Sequence, residues 1–382
     1  MGIKLQYKNL LRKVVKQMNK KMMFIFLVAL LSFSVFAVSA IAGCSTSAST
    51  TIAETTAAET TAAAETTVAE TTAAETTAAK KLVIGRIYVS EADNYQQACI
   101  KAAQNFAAEN NIELLVGSSD ADINKEIGIF EDFLAKKVDA IIMQPVEGAD
   151  ANQLIKNAQA VNIPVIIWGI KHTEGSAPFL SPNEKDANTE LGKKCAELWL
   201  SENPDTAIKA GVLTMEEIAF VKDQRTDRFI DGVLSVAPDA EIIKQDVLRA
   251  PDKEAVMGTF EDLITANPDI NLVFGPASFH SLAAQTVLET IGRGTKETEI
   301  VSGVSGDMEE YEKIKDPNSS YRFTTGLLPK DGEIACFEMA LKVINSEVAI
   351  DSDVEQEMSA VVLGIDSDWK EYLKAQWDVS IE

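Results

Sequence analysis

Apolar positions across residues 80–304 come in two alternating rhythms: short unbroken runs, and longer stretches spaced by three and four. The first run, Leu82-Val83-Ile84-Gly85-Arg86-Ile87-Tyr88-Val89, predicts a strand covered on both faces. Residues 94–109 place Cys99, Ile100, Ala103 and Phe106 on one helical face, and 112–116 reads as a short strand. Helix 123–136 buries Ile127, Ile129, Phe130 and Leu134. Strand 138–143, helix 149–161 and strand 163–168 follow. Strands that are apolar throughout, alternating strictly with helices, predict a parallel sheet with helices on both faces.

A loop at Pro182-Asn183 breaks this order, and the alternation then restarts. Helix 187–201, strand 207–213, helix 220–236, strand 241–247 and helix 253–266 open the second stack. Strand 271–274, helix 281–291 and strand 299–304 complete it. The fold class is α/β, with two doubly wound lobes of roughly a hundred residues or more each. A closed eight-stranded barrel is the competing arrangement. Strand 321–325, helix 330–345 and strand 358–363 are shared between the lobes across a three-segment hinge. Lobe 1 takes 81–181 and 328–357, lobe 2 takes 182–327 and the C-terminal segment, and 364–382 is an extension packing on lobe 2.

The first 79 residues have neither rhythm. Lys4, Lys8, Arg12, Lys13, Lys16, Lys20 and Lys21 form a basic segment, and an apolar run from 22 to 42 follows. It ends in Ile41-Ala42-Gly43-Cys44, which resembles the lipobox of bacterial lipoproteins. That resemblance implies removal of residues 1–43, acylation of Cys44 and a place outside the cytoplasm. The alternative is an uncleaved anchor helix, since the run is long enough to cross a bilayer. Residues 45–79 repeat Glu-Thr-Thr-Ala-Ala with few large apolar side chains, and read as a disordered, self-repelling tether. Such a coil spans on the order of 30–35 Å.

Charge narrows the function. Lys and Arg number 35 against 58 Asp and Glu, for a net −23; without the seven cations of the basic segment the balance is −30. A surface of that sign repels nucleic acid, so a nucleic-acid partner is excluded. Cysteines at 44, 99, 195 and 336 are too scattered for a disulfide scaffold or zinc site, and the last three read as core thiols. His172 and His280 fall in loops and lack a third spaced ligand, so no metal is expected. Phosphate-loop, dinucleotide and nucleophile-elbow motifs do not occur, so neither a cofactor nor an enzymatic activity is expected.

Four stretches carry a specific likeness. They are Val138-Asp139-Ala140-Ile141-Ile142-Met143-Gln144-Pro145, Asn162-Ile163-Pro164-Val165-Ile166, Asp223-Gln224-Arg225-Thr226-Asp227-Arg228-Phe229-Ile230-Asp231-Gly232, and Leu327-Leu328-Pro329-Lys330-Asp331-Gly332. Together they resemble periplasmic-binding-protein-like type I domains of the ribose/galactose-binding, sugar-transporter family. The resemblance implies a monomer that clamps a small solute, a sugar or polyol, between its lobes and presents it to an ABC permease. A sensor that docks on a membrane receptor or kinase is the alternative, with a sugar or an autoinducer-2-like signal as ligand.

Loops after the strands supply the candidate contacts. They are Asp93, Tyr95, Gln144, Trp168 and His172 from lobe 1, and Asp223, Arg225, Phe279 and Ser305 from lobe 2. Tyr95 and Trp168 offer rings for stacking, although Trp168 is equally suited to capping the sheet. Gln144 offers donors and acceptors to a neutral hydroxylated ligand. Asp223 and Arg225 either meet the ligand or pair with each other. Several family anchors are replaced: Gly169-Ile170 stands for Asp-Arg, Ala277-Ser278 for Asn-Asp, Val304-Ser305 for Phe-Asp and Leu327 for Gln. Either the ligand is less hydroxylated than a simple pyranose, or neighbours such as Asp307 contact it differently.

Overall fold

The computed structural model describes residues 81–146, 151–169, 176–247 and 252–381. Cys44 lies outside the described residues. Two six-stranded sheets form the frame. The first contains β1 (Leu82–Tyr88), β2 (Ile112–Ser118), β3 (Ala140–Met143), β4 (Val165–Trp168), β5 (Phe179–Asn183) and β11 (Glu355–Ser359). Its order is β11-β5-β4-β3-β1-β2, parallel throughout. The second contains β6 (Lys209–Thr214), β7 (Glu241–Asp246), β8 (Leu272–Phe274), β9 (Ile300–Ser305), β10 (Tyr321–Gly326) and β12 (Val361–Gly364). Its order is β12-β10-β9-β8-β6-β7, with β12 antiparallel to β10.

Helices cover each sheet because its central strands are buried on both faces. Lobe 1 carries α1 (Asn94–Glu109), α2 (Ile123–Lys136), α3 (Ala151–Ala160) and α10 (Pro329–Ile344). Lobe 2 carries α4 (Lys185–Glu202), α5 (Ala219–Val221), α6 (Asp227–Val236), α7 (Lys253–Ala266), α8 (Ser278–Thr290) and α9 (Met308–Ile314). Helices α4 and α6 meet nearly backbone to backbone. A Cβ on Gly192 would sit 2.1 Å from the Phe229 carbonyl oxygen, and one on Gly232 would sit 2.0 Å from that of Thr189. The chain passes between lobes after Asn183, after Gly326 and at Ala360.

Three elements differ from the sequence expectation. Pro182-Asn183, read as a loop, ends a real strand, β5. Pro182 lies beyond Phe179 and Leu180, the two residues paired with β4, so its missing N–H breaks no bond on that side. The helix expected over 220–236 is interrupted by a π-helical turn, Lys222–Thr226, between α5 and α6. His280 is not in a solvated loop. It is buried in the first turn of α8, its ring 3.9 Å from that of Phe279. The C-terminal segment packs α11 (Trp369–Tyr372) and Leu373–Trp377 against the lobe 2 core. It also reaches lobe 1, where Gln376 bonds the Asp331 carboxylate at 2.7 Å.

Each lobe contains a buried carboxylate satisfied by its own network. In lobe 1, Arg86 on β1 grips Glu333 on α10 through Nη2 at 2.5 Å and Nε at 3.2 Å, and its guanidinium lies 4.2 Å from the Tyr88 ring centre. Burial opposes the Arg86 charge, but Glu333 and Tyr88 more than offset it. In lobe 2, Glu310 accepts from the Gly306 amide at 2.6 Å and the Thr324 hydroxyl at 2.9 Å, and its other oxygen lies 2.5 Å from the Tyr321 hydroxyl. Burial, with Asp307 alongside, pushes Glu310 from 4.5 up to about 8.

Folded Glu310 therefore holds a proton that the unfolded chain releases above its ordinary range. Its contribution to stability is complete below about pH 4.5 and is lost as pH rises toward 8, by up to about 1.4 kcal/mol per pH unit. Glu310→Gln preserves a neutral side chain that can serve the same partners. Urea unfolding should show the variant losing less stability than wild type between pH 5 and 8, by more than about 1 kcal/mol. Equal losses would mean that Glu310 is already ionised at neutral pH.

Candidate functional site

In parallel α/β sheets the strand ends carry loops that open into a crevice. Here the carboxyl ends of both sheets face one cleft of about 990 Å³ including its open mouth, between the lobes. Seven of the nine sequence-predicted side chains line it: Asp93, Tyr95, Gln144, Trp168, Arg225, Phe279 and Ser305.

On the lobe 1 side, Asp93 caps α1 by accepting the Gln96 amide at 2.9 Å. Burial raises the Asp93 carboxyl above its ordinary range, against the pull of the Gln96 and Tyr95 amides and the Arg225 charge. One turn into α1, the Gln96 side chain donates to Gln144 Oε1 at 3.2 Å, leaving the Gln144 amide nitrogen to donate elsewhere. Tyr95 packs against hydrophobic clusters of both lobes. Burial holds its phenol well above its usual range, so it enters the cleft as a neutral group. Trp168 packs into the lobe 1 core and also borders the cleft. It is 4% exposed and belongs to the lobe 1 core, where its ring lies over Gly332, yet one edge lines the cleft.

The strongest polar feature is one the sequence reading missed. Glu184, the residue after β5, is fully buried and holds Arg225 with both oxygens, at 2.5 Å to Nε and 3.0 Å to Nη2. Arg225 Nη1 donates to the Pro276 carbonyl at 2.8 Å. Three of the five guanidinium N–H groups are thus committed to protein acceptors. Burial opposes the Arg225 charge, and Glu184 reverses that effect and raises its pKa. The signal for Glu184 was its place at the carboxyl end of a strand, concealed because that strand read as a loop.

One expected contact lies elsewhere. Asp223 does not line the cleft and does not pair with Arg225. The π-helical turn sends Arg225 inward and leaves Asp223 half exposed, 2.9 Å from Lys185 and 3.7 Å from Arg228. His172 lies outside the described residues. Asp307 is buried as the cap of α9, and the Asn94 amide reaches toward it from lobe 1 at 3.5 Å and toward Glu309 at 3.3 Å. Among the described residues no cluster of His, Cys, Asp and Glu could hold a metal. Cys99, Cys195 and Cys336 are buried free thiols.

Residues 84–347 match the periplasmic binding protein domain. The chain is 24% identical over 276 residues to the ABC transporter periplasmic-binding protein YphF of Escherichia coli, covering 70% of this chain and 82% of that protein. It is similar in structure to an ABC transporter periplasmic solute-binding protein from Actinobacillus succinogenes with bound D-allose. That match has a TM-score of 0.63 at 21% identity and covers 75% of this chain and 98% of the other. A solute-binding protein from Mycobacterium smegmatis with bound glycerol matches with a TM-score of 0.66 at 20% identity, over 79% of this chain and all of the other. The shared architecture is the type I fold of two parallel-sheet lobes.

Removing one partner of a buried ion pair costs about 3–5 kcal/mol, whereas exposed pairs contribute about 1 kcal/mol or less. Glu184→Ala should therefore lower the urea midpoint sharply, and Asp223→Ala should barely move it. Similar small shifts for both would mean that the Glu184–Arg225 pair is not formed in solution.

Proposed function

The chain belongs to the periplasmic binding protein domain family, and we propose that it is a lipid-anchored, extracytoplasmic solute-binding protein delivering a small neutral polyhydroxylated ligand to an ABC importer. The observation that carries this reading is the chemistry of the cleft. Its described lining holds two carboxylates and one guanidinium, with the guanidinium already neutralised by Glu184. Among the described lining residues no cationic side chain is left over to balance an anion. The remaining polar groups are amides and hydroxyls, which suit hydroxyl partners, and the aromatic side chains Tyr95, Phe279 and Trp168 offer apolar surface to C–H groups. D-Allose and glycerol, bound by the two structural relatives, are ligands of that kind.

Capture follows from two lobes linked covalently by three crossovers, with few polar contacts between them outside those crossovers. A solute bonded to Asp93 or Gln144 on one side and Arg225 or Ser305 on the other interacts with both only when the lobes close, so it shifts the open–closed equilibrium. The closed form is then what a permease would recognise. Acylation at Cys44 would hold the protein at the membrane, and the tether would let the lobes range over the surface.

Titration calorimetry across neutral sugars and polyols should find a ligand. At a hundredfold excess over its dissociation constant it should stabilise the fold by about 2.7 kcal/mol. Trp168→Ala should weaken that ligand at least tenfold, or about 1.4 kcal/mol, and phosphorylated or carboxylated analogues should bind worse than their neutral parents. A preference for the anionic analogues would contradict the charge assignment.

For the anchor, metabolic labelling with a fatty acid should mark the wild-type chain and leave Cys44→Ala unlabelled and released from membranes. Identical labelling and membrane retention of the variant would reject lipidation at Cys44.

A further inference from the structure

The two walls of the cleft differ in polarity. The lobe 1 wall carries most of the polar side chains, Asp93, Asn94, Gln96 and Gln144, set beside Val89, Tyr95 and Trp168. Opposite, the segment after β6 contributes Met215, Ile218, Phe220 and Val221, and Phe279 and Val304 extend the same surface. Met215, Ile218 and Val221 are no more than 7% exposed and are built into the lobe 2 core, with Phe220 and Phe279 packed against it. The apolar wall is therefore part of the packed interior and cannot swing aside to admit a polar group.

Few polar groups interrupt it. Ser278 and Ser305 offer hydroxyls, and Arg225 offers what its three protein bonds leave. The Ser305 carbonyl already accepts from the Leu327 amide at 2.9 Å and the Tyr372 hydroxyl at 3.2 Å. A ring hydroxylated on every edge would press at least one hydroxyl against carbon. An unpartnered buried hydroxyl costs roughly tenfold or more in affinity.

We infer that the preferred ligand is amphipathic, a polyhydroxylated ring with a deoxy or methyl-bearing edge. This deepens the solute-binding reading above and rests on it. The hydroxylated edge lies along Asp93, Gln96 and Gln144, and the carbon edge lies against Met215, Phe220 and Phe279. Two polar family anchors replaced by carbon side chains, at Ala277 and Leu327, lie on the lining too, so these substitutions noted in the sequence fall where the carbon edge sits.

Calorimetry on the full chain in mild detergent with matched pairs tests this directly. The pairs are D-fucose with D-galactose, and L-rhamnose with L-mannose, which differ by one hydroxyl. In any pair that binds, the deoxy sugar should bind at least about tenfold tighter than its parent. Met215→Gln, which offers an amide to the apolar wall, should shrink that ratio several-fold; its thermal midpoint falls because Met215 is built into the core, and a retained cooperative unfolding transition shows that it still folds. A parent sugar that binds as tightly as its deoxy partner overturns the amphipathic assignment and leaves the solute-binding reading standing. If neither these sugars nor any other neutral sugar or polyol binds, both fail.

Discussion

The pairing of Glu184 with Arg225 is the constraint on which the cleft depends. Glu184 leaves the first sheet at the first crossover, and Arg225 stands on the π-helical turn of the second lobe, so one bidentate contact fixes the crossover against that turn. It also sets the chemistry. An Arg alone in a low-dielectric cleft would attract anions, whereas one already matched by a carboxylate presents directional donors without net positive charge. Asp93, facing the pair, leaves the described lining net negative.

Around this centre the fold separates rigidity from motion. Trp168 and Met215 are held by the cores of their own lobes, so each wall moves as a unit with its sheet. The joints lie in the crossovers, and the C-terminal segment reinforces one of them. Tyr372 donates to the Leu327 carbonyl at 2.6 Å beside the second crossover. Hinge-bending is the motion this construction favours, because packed lobes resist continuous deformation.

Much of this was legible in the residues. Unbroken apolar runs announced the buried parallel strands, and three- and four-residue spacing announced the helices. Strand ends then located Asp93, Tyr95, Gln144, Trp168, Phe279 and Ser305 before any coordinate was known. What was not legible has local physical causes. Proline discourages a strand reading, and Pro182 concealed β5 together with Glu184 behind it. A π-helical turn changes which side chains share a face over only five residues, too few to alter the periodicity. Asp223 and Arg225, two positions apart, point to different surroundings because neighbours at that spacing fall on opposite sides of a helical turn. Buried polar pairing is the least visible of all, because Glu184 reads as one acid among 58.

The proposed ligand is a small neutral molecule with hydroxyls on one side. Native mass spectrometry of the full chain, released from membranes of its own host without denaturation, identifies whatever compound it retains. The retained compound should have a mass and fragmentation pattern that give a neutral sugar or polyol. A retained phosphate ester, carboxylate or peptide would contradict that proposal.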